Sequence, residues 1–207
     1  TLMLEGICIV VTPLIALMKD QVEQLQKRGI NALAIHAGMR KSQIDHALDN
    51  CIYGSVKFLY VSPERLATPL FIERVKKMKV VLLAVDEAHC VSQWGYDFRP
   101  AYLQIGAFRE LHPNVPLLAL TASATASVQQ DIIEKLHLKE PIVYAQSLSR
   151  ANLSYSVFHQ ESKEKKLLQV LQKVQGSAIV YASTRKRTQE IALWLQRNQL
   201  QADFYHA

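Results

Sequence analysis

Short apolar runs alternate with longer segments whose apolar residues recur at helical spacing. The runs at Ile7–Val11, Ala32–Ile35, 57–61, Val80–Val85 and 116–120 are too short for helices and predict strands. The unbroken Val80–Val85 run, bounded by charge, predicts a strand buried on both faces, as in parallel sheets. Between the first two runs, Leu14, Leu17, Met18, Val22 and Leu25 stripe one helix face, and Gly29 stands where a C-cap belongs. Further helices are predicted at 40–50, from Pro63, which suits a first turn, over 101–111, and from the 121–125 turn to Leu136. Strands alternating with helices predict an α/β fold of parallel βαβ units.

Near 148–152 the composition turns polar and the apolar runs stop, which predicts a first domain over 1–147, a linker at 148–152 and a second domain over 153–207. Beyond the linker, 153–158 alternates like a strand, and Leu167, Leu168, Leu171 and Val174 stripe a helix. The stretch 177–181 predicts a buried strand. A helix follows over 184–198 with Ile191, Trp194 and Leu195 facing inward, and 202–205 starts another strand. Both halves share the βα rhythm of a duplicated fold.

About half of the 207 residues are apolar and one fifth are charged, the balance of a globular protein with ample chain for a core. No apolar run approaches a membrane span, so no membrane partner is expected. The first eleven residues lack the basic region and cleavage site of a signal peptide. Cys8, Cys51 and Cys90 are widely spaced and form no CxxC pair, which points to reduced thiols of an intracellular protein and argues for no zinc site. The net charge of +6 favours a polyanionic partner through counterion release. With no single dense patch, it would equally well solvate helix faces.

Candidate chemistry begins where the Val80–Val85 run meets Asp86, Glu87, Ala88 and His89. The carboxyl edge of an open α/β sheet is where ligands bind. An acid there holds Mg²⁺ through water, and a second beside it orients or deprotonates a water attacking a γ-phosphate. Four letters alone would serve equally as an acidic helix cap. The next stretch, SQWGYDFRP over 92–100, sets three aromatics and an arginine in a loop punctuated by Gly and Pro. Such a loop needs a core pocket or stacked bases as partner. Thr12 and Pro13, at a strand-to-helix turn, offer a hydroxyl and backbone N–H groups to a phosphate, or simply cap the helix. No G-x-G-x-x-G occurs, which disfavours a dinucleotide fold, and no glycine is followed by lysine, so the Walker A pattern is absent.

DEAHCVSQWG over 86–95 resembles the Walker B box and aromatic-rich loop of the RecQ family of DNA helicases, in superfamily 2. VVTPLIALMKDQV over 10–22 is similar to the family's motif Ia, YVSPERL over 60–66 to motif Ib, LALTASA over 118–124 to motif III, and IVYASTR over 179–185 to motif IV. Tyr96 departs from the relatives' usual histidine, and Ser123 from their threonine, keeping the hydroxyl. The resemblance covers nearly the whole chain. It implies a RecA-like parallel sheet flanked by helices, incomplete for want of the Walker A segment, followed by the first part of a second RecA-like lobe. The implied ligands are ATP and Mg²⁺, with zinc only in modules further downstream.

By the same resemblance, Asp86 would position Mg²⁺ through water and Glu87 would activate the attacking water. His89 would bridge to motif III, resting on Ser123 or Thr121. Thr12, Pro13, Ser62, Arg65, Gln93, Trp94, Phe98, Arg99, Ser183 and Arg185 would meet nucleic acid, with Trp94 and Phe98 stacking on bases at roughly 1–3 kcal/mol each. The run Arg185-Lys186-Arg187 is equally explained as a solvated helix start. The implied activity is ATP-dependent 3′→5′ unwinding of single-stranded and forked DNA in replication, recombination and repair, in the bacterial nucleoid or the eukaryotic nucleus. This stretch by itself is expected neither to bind ATP tightly nor to hydrolyse it. Two rivals remain. One is an inactive nucleic-acid-binding domain on a helicase-like fold, favoured by the missing Walker A. The other is an RNA helicase of the same superfamily, against which the aromatic loop speaks.

Overall fold

Five parallel strands organise the first part of the chain: β1 (Ile7–Val11), β2 (Ala32–Ile35), β3 (Phe58–Val61), β4 (Val80–Val85) and β5 (Leu117–Ala119), in the order β2-β3-β1-β4-β5. The computed structural model describes residues 1–95, 97–146, 150–174 and 176–205. Tyr96, and Leu148 and Ser149 of the expected linker, lie outside the described residues. The chain divides into two compact units, Thr1–Tyr144 and Ala145–Ala207.

Alternate residues of each strand enter different cores. Ile7, Ile9, Val11, Leu59, Val61, Leu83 and Val85 face one side, with Leu48 of α2 (Lys41–Tyr53), Phe71 of α3 (Pro69–Val75), Ile105 of α4 (Gln104–Arg109) and Ile132 of α5 (Ala126–Lys135). Cys8, Val10, Tyr60 and Ala84 face the other, with Met18 and Val22 of α1 (Ile15–Lys27). Why α1 stands alone follows from the strand order. The step from β1 to β2 runs one way across the sheet, and every later step runs the other. Right-handed crossovers put opposite steps on opposite faces. The chain therefore leaves the neighbouring carboxyl ends of β1 and β4 in opposite directions, which opens a crevice there.

Several expectations are refined. Only Leu83, Ala84 and Val85 of β4 are buried, whereas Val80, Val81 and Leu82 are partly exposed. The reason is register: β5 is short and pairs only with Leu83, Ala84 and Val85. The helix expected from Pro63 is a 3-10 turn, Pro63–Ala67, followed by α3, because Thr68 is extended and Pro69 opens a new helix. The 101–111 segment likewise starts as a 3-10 turn, Pro100–Leu103, before α4. After α1, Gly29 takes φ +74°, while its N–H and that of Ile30 bond to Gln26 and Leu25 carbonyls at 2.9 and 3.0 Å. That paired closure needs a left-handed residue, so glycine fits.

In the second unit, α6 (Lys163–Lys173) and α7 (Arg185–Arg197) form where the periodicity predicts, capped by Ser162 and Thr184. Ala192 and Leu195 of α7 are buried, and Ile191 and Trp194 are half-buried. The stretches 153–158, 177–181 and 202–205 form no ladder among the described residues. Ile179 and Tyr181, expected inside a buried strand, are exposed. A strand needs a lateral partner strand for its N–H and C=O groups, and among the described residues none pairs with these stretches. Among the described residues no helix is long and apolar enough to cross a membrane.

Candidate functional site

Asp86 stands in the crevice at the end of β4. Its N–H bonds to the Val11 carbonyl at 2.8 Å, so the β1–β4 ladder fixes its backbone. Oδ1 accepts the Glu87 N–H at 3.0 Å, and Oδ2 faces the Thr12 hydroxyl at 3.4 Å. Beneath it, the buried Tyr102 hydroxyl donates to the Asp86 carbonyl at 2.9 Å. Burial pushes the Tyr102 phenol well up, so it keeps that proton. Thr12 departs from expectation: it is fully buried, with its N–H on the Val61 carbonyl and its hydroxyl turned to Asp86. That hydroxyl is buried against the Asp86 carboxylate and not on the surface.

Glu87 sits in the left-handed region at φ 48°, ψ 44°. For a non-glycine residue this costs about 1–3 kcal/mol, and it persists where the surroundings hold it. They do so here: the Ala88 N–H bonds to the Leu120 carbonyl and the Leu120 N–H to the Val85 carbonyl, both at 2.8 Å. The turns after β4 and β5 are thereby locked together. His89 joins them through its side chain, with Nδ1 at 2.9 Å from Thr121 Oγ1 and 3.3 Å from Glu87 Oε2. Thr121 in turn faces the Ser123 carbonyl and N–H, each at 3.3 Å. A carboxylate only accepts, so the Glu87 contact favours the tautomer with hydrogen on Nδ1, in which the Thr121 hydroxyl donates to the Ser123 carbonyl. Of the two hydroxyls expected under His89, Thr121 makes the contact, and Ser123 enters through its backbone.

The aromatic loop grows from this turn. Gly95 packs so closely that a Cβ there would lie 2.5 Å from the His89 carbonyl oxygen. Ser92 is fully buried; its hydroxyl donates to Asp131 of α5 and accepts the Trp94 N–H at 3.1 Å. The Ser92 hydroxyl and the Lys135 ammonium hold the Asp131 carboxyl below its usual range. The loop's far end is tied by the Arg99 N–H to the Cys90 carbonyl at 2.9 Å. The Arg99 guanidinium contacts Asp97 at 2.9 Å and the Pro13 carbonyl at 3.3 Å, joining the loop to the β1 exit. Burial raises the Cys90 thiol to about 11, which leaves it protonated and no nucleophile. Trp94 is 79% exposed, Gln93 is exposed and Phe98 is half-buried, so neither aromatic side chain is sequestered in the core.

The remaining expected residues lie apart. Ser62 and Arg65 follow β3 at the same sheet edge, both half-buried, and Arg65 Nε is buried without a partner among the described residues. Ser183 and Arg185 are exposed in the second unit, on either side of the Thr184 cap. Tyr102, Ser92 and Asp131 were not foreseen as part of the site. Tyr102 sits within a segment whose pattern signals only a helix, and Asp131 looks like one half of an ordinary i,i+4 surface pair with Lys135. A serine among aromatics was the one available signal for Ser92.

Comparison with known proteins identifies the family of the chain. Residues 3–132 match the DEAD/DEAH box helicase family. The chain is 45% identical over 208 residues to the ATP-dependent DNA helicase RecQ of Bacillus subtilis (strain 168), covering 99% of this chain and 35% of that protein. It is 41% identical over 207 residues to the protein of the same name from Haemophilus influenzae, covering 98% of this chain and 33% of that one. The chain thus spans about a third of the length of the curated relatives it matches. Among solved structures, the DUF1998 helicase MrfA superposes with a TM-score of 0.63 at 14% identity, over 94% of this chain and 31% of that chain. At that identity the likeness speaks for the fold alone.

Proposed function

The chain belongs to the DEAD/DEAH box helicases, and on that premise we propose that it carries the Walker B half of an ATP-dependent DNA-unwinding motor of the RecQ kind. RecQ relatives align over its whole length, which favours this over an RNA helicase or an inactive nucleic-acid-binding domain. One observation carries the reading: Asp86 and Glu87 are linked through His89 and Gly95 to a loop that displays Trp94 to solvent.

The residues present fit a hydrated Mg²⁺. Asp86 supplies one hard carboxylate at the crevice, and Thr12 fixes its orientation. Magnesium needs few protein ligands when water and phosphate oxygens complete its shell. Bound there with ATP, it would neutralise charge on the phosphates. Glu87, held by its strained backbone and by His89, would orient and take a proton from the attacking water. Thr121 reports the state of that corner to the turn after β5. Trp94, with Phe98 beside it, stacks on bases without regard to sequence, as a motor stepping along a strand requires. Gln93, Arg99, Pro13, Ser62 and Arg65 are further nucleic-acid contacts of the first unit, and Ser183 and Arg185, within the second unit, are phosphate contacts. A 3′→5′ direction, action on single-stranded and forked DNA, and a setting at the chromosome complete the proposal.

The test is ATP hydrolysis by the intact protein, with and without single-stranded DNA. Asp86→Ala should abolish turnover, by a factor of about 10³ or more. Trp94→Ala should lower the ratio of DNA-stimulated to DNA-free turnover about tenfold, the loss of one stacked base. Equal losses with and without DNA in the Trp94 variant would remove the loop from the reading.

A further inference from the structure

Two side-chain ties run from the segment after β5 to the segment after β4. One is His89 on Thr121. The other is Ser92 on Asp131, and it has a different character. Ser92 is fully buried, its hydroxyl donates to an Asp131 carboxylate oxygen, and the same oxygen atom of Ser92 accepts the Trp94 N–H at 3.1 Å. Asp131 is therefore two hydrogen bonds from the backbone of Trp94, which is 79% exposed. Its own position is firm. It lies in the middle of α5, whose Val128 and Ile132 are buried in the core, and Lys135 braces it at 3.3 Å. Thr125 caps the start of the helix, and Arg109 donates to the Leu136 and His137 carbonyls at its end, at 3.0 and 2.6 Å.

We propose that Asp131 is the positioning residue of the aromatic loop: through Ser92 it fixes the backbone at Trp94, so that the indole is held ready for a base before DNA arrives. The inference rests on the reading of Trp94 as a DNA contact. A loop free to move would have to be ordered on binding, and immobilising one large side chain and its backbone weakens association. A charge-assisted hydrogen bond already made in the free protein removes that cost beforehand. Asp131 itself touches no ligand in this scheme; it acts only through Ser92.

The test uses this chain with Trp194→Phe, so that Trp94 is its one tryptophan. Steady-state anisotropy of Trp94 and affinity for fluorescein-labelled oligo-dT are measured for the parent, Asp131→Ala, Asp131→Asn and Ser92→Ala. Asp131→Ala should lower the anisotropy and weaken oligo-dT binding by about tenfold or more, the usual worth of one hydrogen bond to a charged group. Asp131→Asn keeps an acceptor oxygen for the Ser92 hydroxyl and should restore both. Ser92→Ala should be at least as impaired as Asp131→Ala, because it also removes the acceptor of the Trp94 N–H, and adding Asp131→Ala to it should bring no further loss. Parent-like anisotropy in Asp131→Ala, or an Asn variant as impaired as the Ala one, overturns the proposal. A parent chain that fails to bind oligo-dT counts instead against the DNA-contact reading, while the anisotropy still decides whether Asp131 holds the loop.

Discussion

At the scale of single residues, the site depends on close approach as much as on charge. Gly95 shows this best. An added methyl would stand 2.5 Å from the His89 carbonyl and 3.0 Å from that of Ser92, both backbone atoms with no room to yield. Gly95→Ala should therefore destabilise the fold by about 1–3 kcal/mol, the usual result of overpacking. Urea unfolding followed by circular dichroism measures it, and an unchanged midpoint would contradict the contact. Thr121 makes a complementary case. Its hydroxyl accepts from His89 and hands its proton to the Ser123 carbonyl, so Thr121→Val removes both bonds at nearly constant volume. The half-buried His89 ring keeps Glu87 at 3.3 Å but loses its hydroxyl partner, at about 0.5–1.5 kcal/mol. Ser123→Ala leaves those bonds in place and should unfold close to the parent. The acids and His89 were legible in the sequence because a motif announces them. The partner of His89 was legible only as a choice of two hydroxyls, since spacing along a turn does not say which side chain folds back.

At the scale of elements, helix ends separate what a sequence announces from what it conceals. α1 closes on Gly29, and a glycine after a periodic stripe is an open signal. α5 closes in the same way, with the His137 and Leu138 N–H groups on the Glu134 and Ile133 carbonyls at 3.1 and 2.9 Å, yet its left-handed residue is His137, at φ 51°. No glycine marks that stop. The sequence signal was absent because Arg109, twenty-seven residues away, binds the carbonyls at the helix end. Arg109→Ala should cost about 1.5–3 kcal/mol, the range for hydrogen bonds from a charged donor. Thermal or urea unfolding with an unchanged m-value is the measurement. A loss below a few tenths would mean that the closure stands without the arginine. The strand register is concealed in the same sense: the apolar run of β4 is six residues long, but only the three opposite β5 are buried, because burial depends on a neighbour's length.

At the scale of the whole molecule, burial is distributed very unevenly. Every buried hydrophobic residue among those described lies in the first unit except Ala192 and Leu195. The five-strand sheet with helices on both faces gives that unit two cores of its own. The second unit has α6 of 11 residues with none buried and α7 of 13 residues with two. Helices of this length are marginal in water without an apolar face to dock on. The periodicity from 153 onward showed which faces would be buried if a partner were there, and periodicity carries no more than that. Its helices formed, whereas the three stretches expected as strands, which need lateral partners, form no ladder among the described residues. The physical consequence is a split in cooperativity. Residues 1–144 expressed alone should melt in one sigmoidal transition, and residues 145–207 alone should lose ellipticity gradually on heating. Far-ultraviolet circular dichroism of the two pieces decides it. A sharp, cooperative transition in 145–207 would show that the second unit stabilises itself by contacts other than those its two helices make, and the division of burial described here would no longer account for how the chain holds together.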